Sequence, residues 1–256
     1  MTHTGTLLEP LALGFVIGLV LGGVGGGGAI LTVPALVYLL DQPVPDATWG
    51  SLVIVGLGAL AGLCRYARSR RVAYRAGAVV AVAGIPASIL GSVLSPMVNP
   101  RALMIAFSAL MLAAAVALVA RSRGTLPRPS SAPAPLRPAR SAAVGLGAGF
   151  LTGLLGAGGG FVLVPALAIA LGMSMDLAAG TSLLIIVCNS AVAIAARLGS
   201  AQAQLDVAVV IPFTIAVMAA SWAGRSLTER LRPATVATTF AGMLVVVAIW
   251  SAGQSI

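Results

Sequence analysis

The chain has 256 residues, of which 59% are hydrophobic and only 8% charged, with a mean hydropathy of +1.06. A soluble domain carries about 25% charged residues, so a water-soluble enzyme, a disordered chain and a disulfide scaffold are excluded and a membrane protein remains. The net charge of +9 comes from fifteen Arg and no Lys against six acids. The Arg residues cluster between apolar runs, which marks membrane topology rather than a nucleic-acid-binding face.

Residues 1–10 lack an Arg-rich start and an A-x-A site, so no cleavable signal peptide is expected, and His3 falls in this polar stretch. Eight apolar segments follow, at 11–40, 47–64, 76–95, 101–120, 141–171, 176–196, 205–224 and 234–253. Six have the length of one membrane helix. The 11–40 and 141–171 segments are too long: as continuous helices of about 30 residues they would extend roughly 45 Å, against a hydrocarbon core near 30 Å. Glycine interrupts both, first at Gly25-Gly26-Gly27-Gly28 before Pro34, then at Gly156, Gly158, Gly159 and Gly160 before Pro165. Consecutive glycines disfavour continuous helix. Each segment therefore reads as two half-helices joined by an unwound turn, either re-entrant or discontinuous.

The two halves of the chain repeat. Shifted by 131, residues 14–40 match the second half without a gap at eleven positions, among them Gly14, Gly18, Gly22, Gly25, Val33 and Pro34. The same shift pairs Ser51 with Ser182, and a shift of 133 pairs Gly91, Leu94, Pro100 and Phe107 with Gly224, Leu227, Pro233 and Phe240. The expected fold is an all-α polytopic membrane protein of two repeats, 1–120 and 141–256, joined by an Arg/Pro-rich linker, 121–140. The arginines bear on threading. If both long segments cross the membrane, the two faces carry 11 and 4 Arg. If both dip in and return, residues 65–75, 121–140 and 225–232 share one face with 13 Arg, and only Arg101 and Arg197 face the other way. The second split fits the positive-inside rule better and leaves three full spans per half, which makes the repeats inverted. Both arrangements place loop 65–75 and the linker in the cytoplasm.

No carboxylate pair, HExxH or CxxC is present, so no enzyme is expected, and no cofactor or metal. Cys64 and Cys188 lie in apolar surroundings and read as packing residues. Two other features carry chemistry. A half-helix that begins inside the membrane offers free N–H groups to an anion, and glycine lets the ligand reach the backbone. By contrast, Gly14, Gly18 and Gly22, like Gly145, Gly149 and Gly153, have the four-residue spacing of close helix packing. In the span Gly180–Ser190, Thr181, Ser182 and Asn189 place uncharged hydrogen-bonding groups on adjoining faces, suited to a small oxyanion or to an interhelical hydrogen bond. Ser51 is retained in the first half, but Gly58 and Ala59 replace Asn189 and Ser190, so any site is asymmetric. The acids Glu9, Asp41, Asp46, Asp176, Asp206 and Glu229 all fall at segment ends or in loops, which leaves no central proton relay.

Two glycine-rich turns each ending in Val-Pro, with Gly-Thr-Ser-Leu and Asn-Ser after the second, resemble the TauE/SafE family over nearly the whole chain. The motifs are Gly156–Pro165 and Gly180–Ser190. The resemblance implies a bacterial inner-membrane, multi-pass exporter of sulfite or organosulfonate-like anions. The expected partners are a small anion and the lipid bilayer, with no nucleic acid and with room for a homodimer. The competing reading is a membrane scaffold without a transported substrate.

Overall fold

The computed structural model describes residues 8–26, 28–94, 97, 100–122, 138–155, 160–197, 206–228 and 233–253. These form ten α-helices and no strand: α1 (Leu8–Val24), α2 (Ala29–Pro34), α3 (Val44–Arg68), α4 (Tyr74–Leu94), α5 (Pro100–Ser122), α6 (Pro138–Leu155), α7 (Gly160–Ala170), α8 (Met175–Arg197), α9 (Val207–Thr228) and α10 (Pro233–Gly253). A π-helical turn, Ala35–Leu39, continues α2 directly after Pro34. Proline has no N–H to give to the carbonyl four residues back, and the ladder widens where that bond is missing. Pro100, Pro138 and Pro233 stand at the first positions of their helices, where the missing N–H costs nothing.

Ten described helices are more than the eight apolar segments expected, and the described helices of the two long segments end and restart near their glycine runs. In the first, helix stops at Val24 and resumes at Ala29; in the second, α6 ends at Leu155 and α7 begins at Gly160. Several helices also run past their apolar segments, α3 to Arg68 and α9 to Thr228.

Four described helical stretches are long and apolar enough to cross a membrane: Asp46–Arg68, Tyr74–Gly91, Met175–Ala195 and Val207–Leu227. Shorter apolar stretches run Glu9–Val24, Ser108–Ala120 and Thr238–Ile249. The outer surface is itself apolar, with Val82, Val116, Val246 and Ile249 among its most exposed side chains. In water such a surface would aggregate; in a bilayer it is solvated. The protein is a multi-pass membrane protein. Cys64 belongs to this exposed surface rather than to the packed interior, whereas Cys188 is half-buried; both thiols are free.

Glycine sets the interhelical distances. Helix α1 lies along α9 in the same direction, with Gly14, Gly18 and Gly22 facing Phe213, Val217 and Ser221. A Cβ on Gly14 would sit 2.8 Å from the Phe213 carbonyl oxygen, and one on Gly18 would sit 2.5 Å from that of Val217. Helix α6 lies along α4 in the same way, with Gly145 against Val80 and Gly149 against Gly84. Lipid tails are as apolar as side chains, so helices associate through close van der Waals contact, and small residues permit it. Helix α3 also runs parallel to α9, pairing Gly50 with Val210 and Gly62 with Ser221. It crosses α8 in the opposite direction, pairing Gly56 with Ser190 and Tyr66 with Gly180.

Gly22 and Gly147 separate packing from helix propensity. Gly22→Val places its branched side chain in the Ser221 backbone. It should destabilise the protein by more than the roughly 1–3 kcal/mol typical of overpacking, read as a fall in Tm in detergent. Nothing lies within 4 Å of a Cβ built on Gly147, and Gly147→Ala should raise stability by up to about 1 kcal/mol through helix propensity alone.

Candidate functional site

The chain reverses between α1 and α2. Gly25 and Gly26 adopt φ of +78° and +122°, the region that favours glycine. A Cβ on Gly28 would meet the Ile17 carbonyl and Leu21, so α2 begins folded back against α1. From there the π turn brings Leu36 toward Gly50, near the start of α3.

Unwound backbone inside an apolar bundle must find its hydrogen bonds within the protein. The Gly25 and Gly26 N–H groups both donate to the Leu21 carbonyl, at 2.9 and 3.3 Å. The Gly26 carbonyl accepts from Ala29 N–H at 3.1 Å. Three hydroxyls add to these bonds, and the Gly28 carbonyl also accepts the Leu31 N–H at 3.1 Å. Thr32 Oγ1 donates to Gly28 at 3.1 Å, Tyr66 Oη donates to Gly23 at 3.1 Å, and Ser182 Oγ lies against the Gly25 carbonyl. Ser182 Oγ also lies 2.7 Å from the Ala179 carbonyl of its own helix. Thr32, Tyr66 and Ser182 are all completely buried.

The turn after α1 meets the start of α7 through Gly26 and Gly160. A Cβ on Gly26 would lie 2.6 Å from the Gly160 carbonyl oxygen; one on Gly160 would lie 2.9 Å from that of Gly26 and 3.2 Å from Ala29 Cβ. The first residues of α2 and α7 therefore touch, with the Ile186 side chain beside them. Gly27, Gly156, Gly158 and Gly159 lie outside the described residues.

Of the other residues singled out from the sequence, Ser182 is the one whose contact with the turn is seen. Thr181, one residue earlier, ties two elements together: its Oγ1 donates to the Leu177 carbonyl at 2.6 Å and accepts the Ala73 N–H at 3.0 Å, joining α8 to the approach to α4. Ser51 is buried and turns back on α3, donating to the Thr48 carbonyl at 2.9 Å. Asn189 Oδ1 is buried without a hydrogen-bond partner. A buried oxygen left unmatched is costly; rotated about χ2, the same amide presents its NH2 there.

Sequence reasoning passed over Tyr66, Thr32 and Arg225. Tyr66 holds the end of α1, and the Arg225 guanidinium lies over the Tyr66 ring, 4.5 Å from its centroid, while donating to Asp176 Oδ1 at 2.9 Å. Tyr66 is 43 residues from Gly23, and Asp176 is 49 from Arg225; no local spacing announces either pair. The one available signal was Arg225 itself, a charge directly after an apolar run.

The family model for the sulfite exporter TauE/SafE matches residues 11–251. A probable membrane transporter protein of Xylella fastidiosa is 34% identical over 181 residues, covering 70% of this chain and 69% of that protein. The probable membrane transporter protein YunE of Bacillus subtilis is 27% identical over 241 residues, covering 85% of each. A third relative, the probable membrane transporter protein MJ0441 of Methanocaldococcus jannaschii, is 28% identical over 171 residues, covering 64% of this chain and 63% of its own. With polytopic apolar helices, a glycine-turn contact in the interior and a family match over nearly its whole length, this chain belongs to the TauE/SafE family of membrane transporters.

Proposed function

We propose that the protein exports a small sulfur oxyanion, sulfite or an organosulfonate-like anion, through a site between its two glycine turns. The observation that carries this reading is the backbone approach of Gly26 and Gly160, too close for any side chain at either position. Helix-starting N–H groups beside bare backbone suit an anion without requiring a buried cation there. The substrate-binding set is Gly25–Gly28, Ser51, Gly156, Gly158–Gly160, Thr181, Ser182 and Asn189. Asn189 would supply a direct contact, and Ser182 would act through the Gly25 carbonyl. The membrane scaffold is the weaker alternative, because a scaffold gains nothing from a glycine turn inside the bundle whose Gly25 carbonyl draws on the buried Ser182 hydroxyl. An enzyme is disfavoured, because the sequence carries no paired acid, membrane His or ligand cluster.

Inverted repeats, 1–120 and 141–256 flanking the linker 121–140, would account for the packing. The contacts of Gly14 with Phe213 and of Gly18 with Val217 correspond, at offsets of 131 and 133, to those of Gly145 with Val80 and of Gly149 with Gly84. The corresponding helices α3 and α8 cross in opposite directions, as inversion requires. With the α1–α2 segment folded back, loop 65–75, the linker and residues 225–232 share the arginine-rich face, taken as the cytoplasmic side of a bacterial inner membrane. The bilayer and the anion are the proposed partners, with space for a homodimer; no resident cofactor is invoked.

Efflux from proteoliposomes containing only this protein tests the reading. Sulfite flux should respond to an imposed potassium-diffusion potential at constant pH, since 100 mV supplies roughly 2.3 kcal/mol per charge, enough for a gradient of about fifty-fold. Flux that ignores the potential and follows a pH gradient would overturn potential-driven export; no sulfite or sulfonate flux under either would remove the substrate assignment. Gly160→Val should abolish transport while the protein still inserts. Asn189→Leu should raise the apparent KM about tenfold, the effect of losing one hydrogen bond of about 1.4 kcal/mol, with little change in Tm. A fall in Tm at unchanged KM would show that the amide only joins helices.

A further inference from the structure

The ion pair at the arginine-rich end of the bundle has a feature that neither the glycine turns nor the packing explain. Its two charges are unequally placed: the Arg225 side chain is 5% exposed and the Asp176 side chain 42%. The acid can therefore exchange its partner for water at little cost. The guanidinium is held in place by burial and by the Tyr66 ring, and an anion that takes the place of Asp176 offsets the cost of burying its charge.

The surroundings suit such an exchange. Tyr66 lies under the guanidinium and presents its ring face, while its hydroxyl holds the Gly23 carbonyl two residues before the first glycine turn. Arg68 stacks on Trp222, one turn before Arg225 on α9, with its guanidinium carbon 4.9 Å from the ring centroid; Arg65 Nη2 donates to Ser226 Oγ at 3.0 Å. These cations raise the local concentration of any anion approaching this end. The planar guanidinium fork matches two oxygens of a sulfite or sulfonate as well as it matches a carboxylate. At the offsets relating the two halves, the positions corresponding to Asp176 and Arg225 are Pro45 and Ser92, neither of them charged.

We infer that Arg225 is the first docking point for the anionic head of the substrate on its way to the glycine turns, and that Asp176 is a tethered competitor that occupies this point at rest and is displaced by the substrate. The inference rests on the proposed anion export and adds to it a specificity-determining residue and the end from which substrate enters. An incoming dianion or sulfonate replaces a carboxylate one for one, so the buried guanidinium never loses its counter-ion. A neutral molecule cannot make the exchange.

The test separates a competitor from a structural strut by the sign of one effect. Binding of sulfite, methanesulfonate and acetate to the purified full chain is measured by calorimetry, and sulfite flux is measured in proteoliposomes. Asp176→Asn removes the competing charge and keeps the shape. It should tighten sulfite and methanesulfonate binding by at least about threefold, the scale of a partly exposed ion pair, and lower the KM for flux. Arg225→Gln should weaken binding at least about tenfold, and Arg225→Lys should fall between. Adding Asp176→Asn to Arg225→Gln should then give no tightening. Looser or unchanged binding in Asp176→Asn, with a lower Tm, would overturn the inference and leave anion export standing. If that variant does not fold, Asp176→Ser supplies the same comparison. Oxyanion binding that follows these signs without any sulfite flux would instead remove the export reading and leave Arg225 as an anion site.

Discussion

The end of α1 and the turn at Gly25 and Gly26 have to satisfy their carbonyls inside an apolar bundle, and the helices around them are arranged to do so. Tyr66 from α3 and Ser182 from α8 each aim a hydroxyl at one of these carbonyls, and Thr32 from α2 aims one at that of Gly28. Water is not available at this depth to do the same, and each unmatched carbonyl would cost several kcal/mol. Three helices are thereby pinned to the turn at defined positions. Its geometry, including the approach of Gly26 to Gly160, follows from those anchors.

The anchors reach the turn only because the helices around them are close. Gly22 lies against Ser221, Gly62 sits beside both Ser221 and Leu183, and Gly180 brings the Tyr66 ring within range of α8. Replacing any of these glycines by a larger residue would separate helices by more than a hydrogen bond can follow. In a bilayer this matters twice over, since close contact is the main attraction between helices and there is no hydrophobic term to compensate for its loss. Packing and site are thus one design, in which the small residues that hold the bundle together also determine where backbone is left bare.

Charge is distributed by the same economy. The interior between the glycine turns offers neutral dipoles, whereas the arginine-rich end carries the buried Arg225 with its half-exposed partner Asp176 and the Arg68–Trp222 stack. A full charge at mid-depth would bind an anion too firmly to release and would be expensive to bury. At the end of the bundle the same charge can be neutralised by a side chain in contact with water. For the proposed anion export, a gradient from charged mouth to dipolar centre would give the anion a route inward without a deep trap.

Composition alone determined the membrane environment, because 8% charged residues cannot cover a soluble surface. The turn at Gly25 and Gly26 was legible because consecutive glycines defeat helix locally, and the helix-packing role of Gly14, Gly18 and Gly22 was legible because their spacing is that of one helical face. Thr181 and Ser182 were also visible as polar groups in an apolar span, but their roles were not. Tertiary structure decided that Ser182 turns to the Gly25 carbonyl, that Thr181 holds Ala73, that Ser51 closes on its own helix and that Asn189 keeps an unmatched oxygen. It also decided the partnerships of Tyr66 with Gly23 and of Arg225 with Asp176. Periodicity reports which residues share a face of one helix. Which helix that face then meets depends on packing across the whole bundle, and such contacts between residues far apart in the chain leave no mark in local sequence.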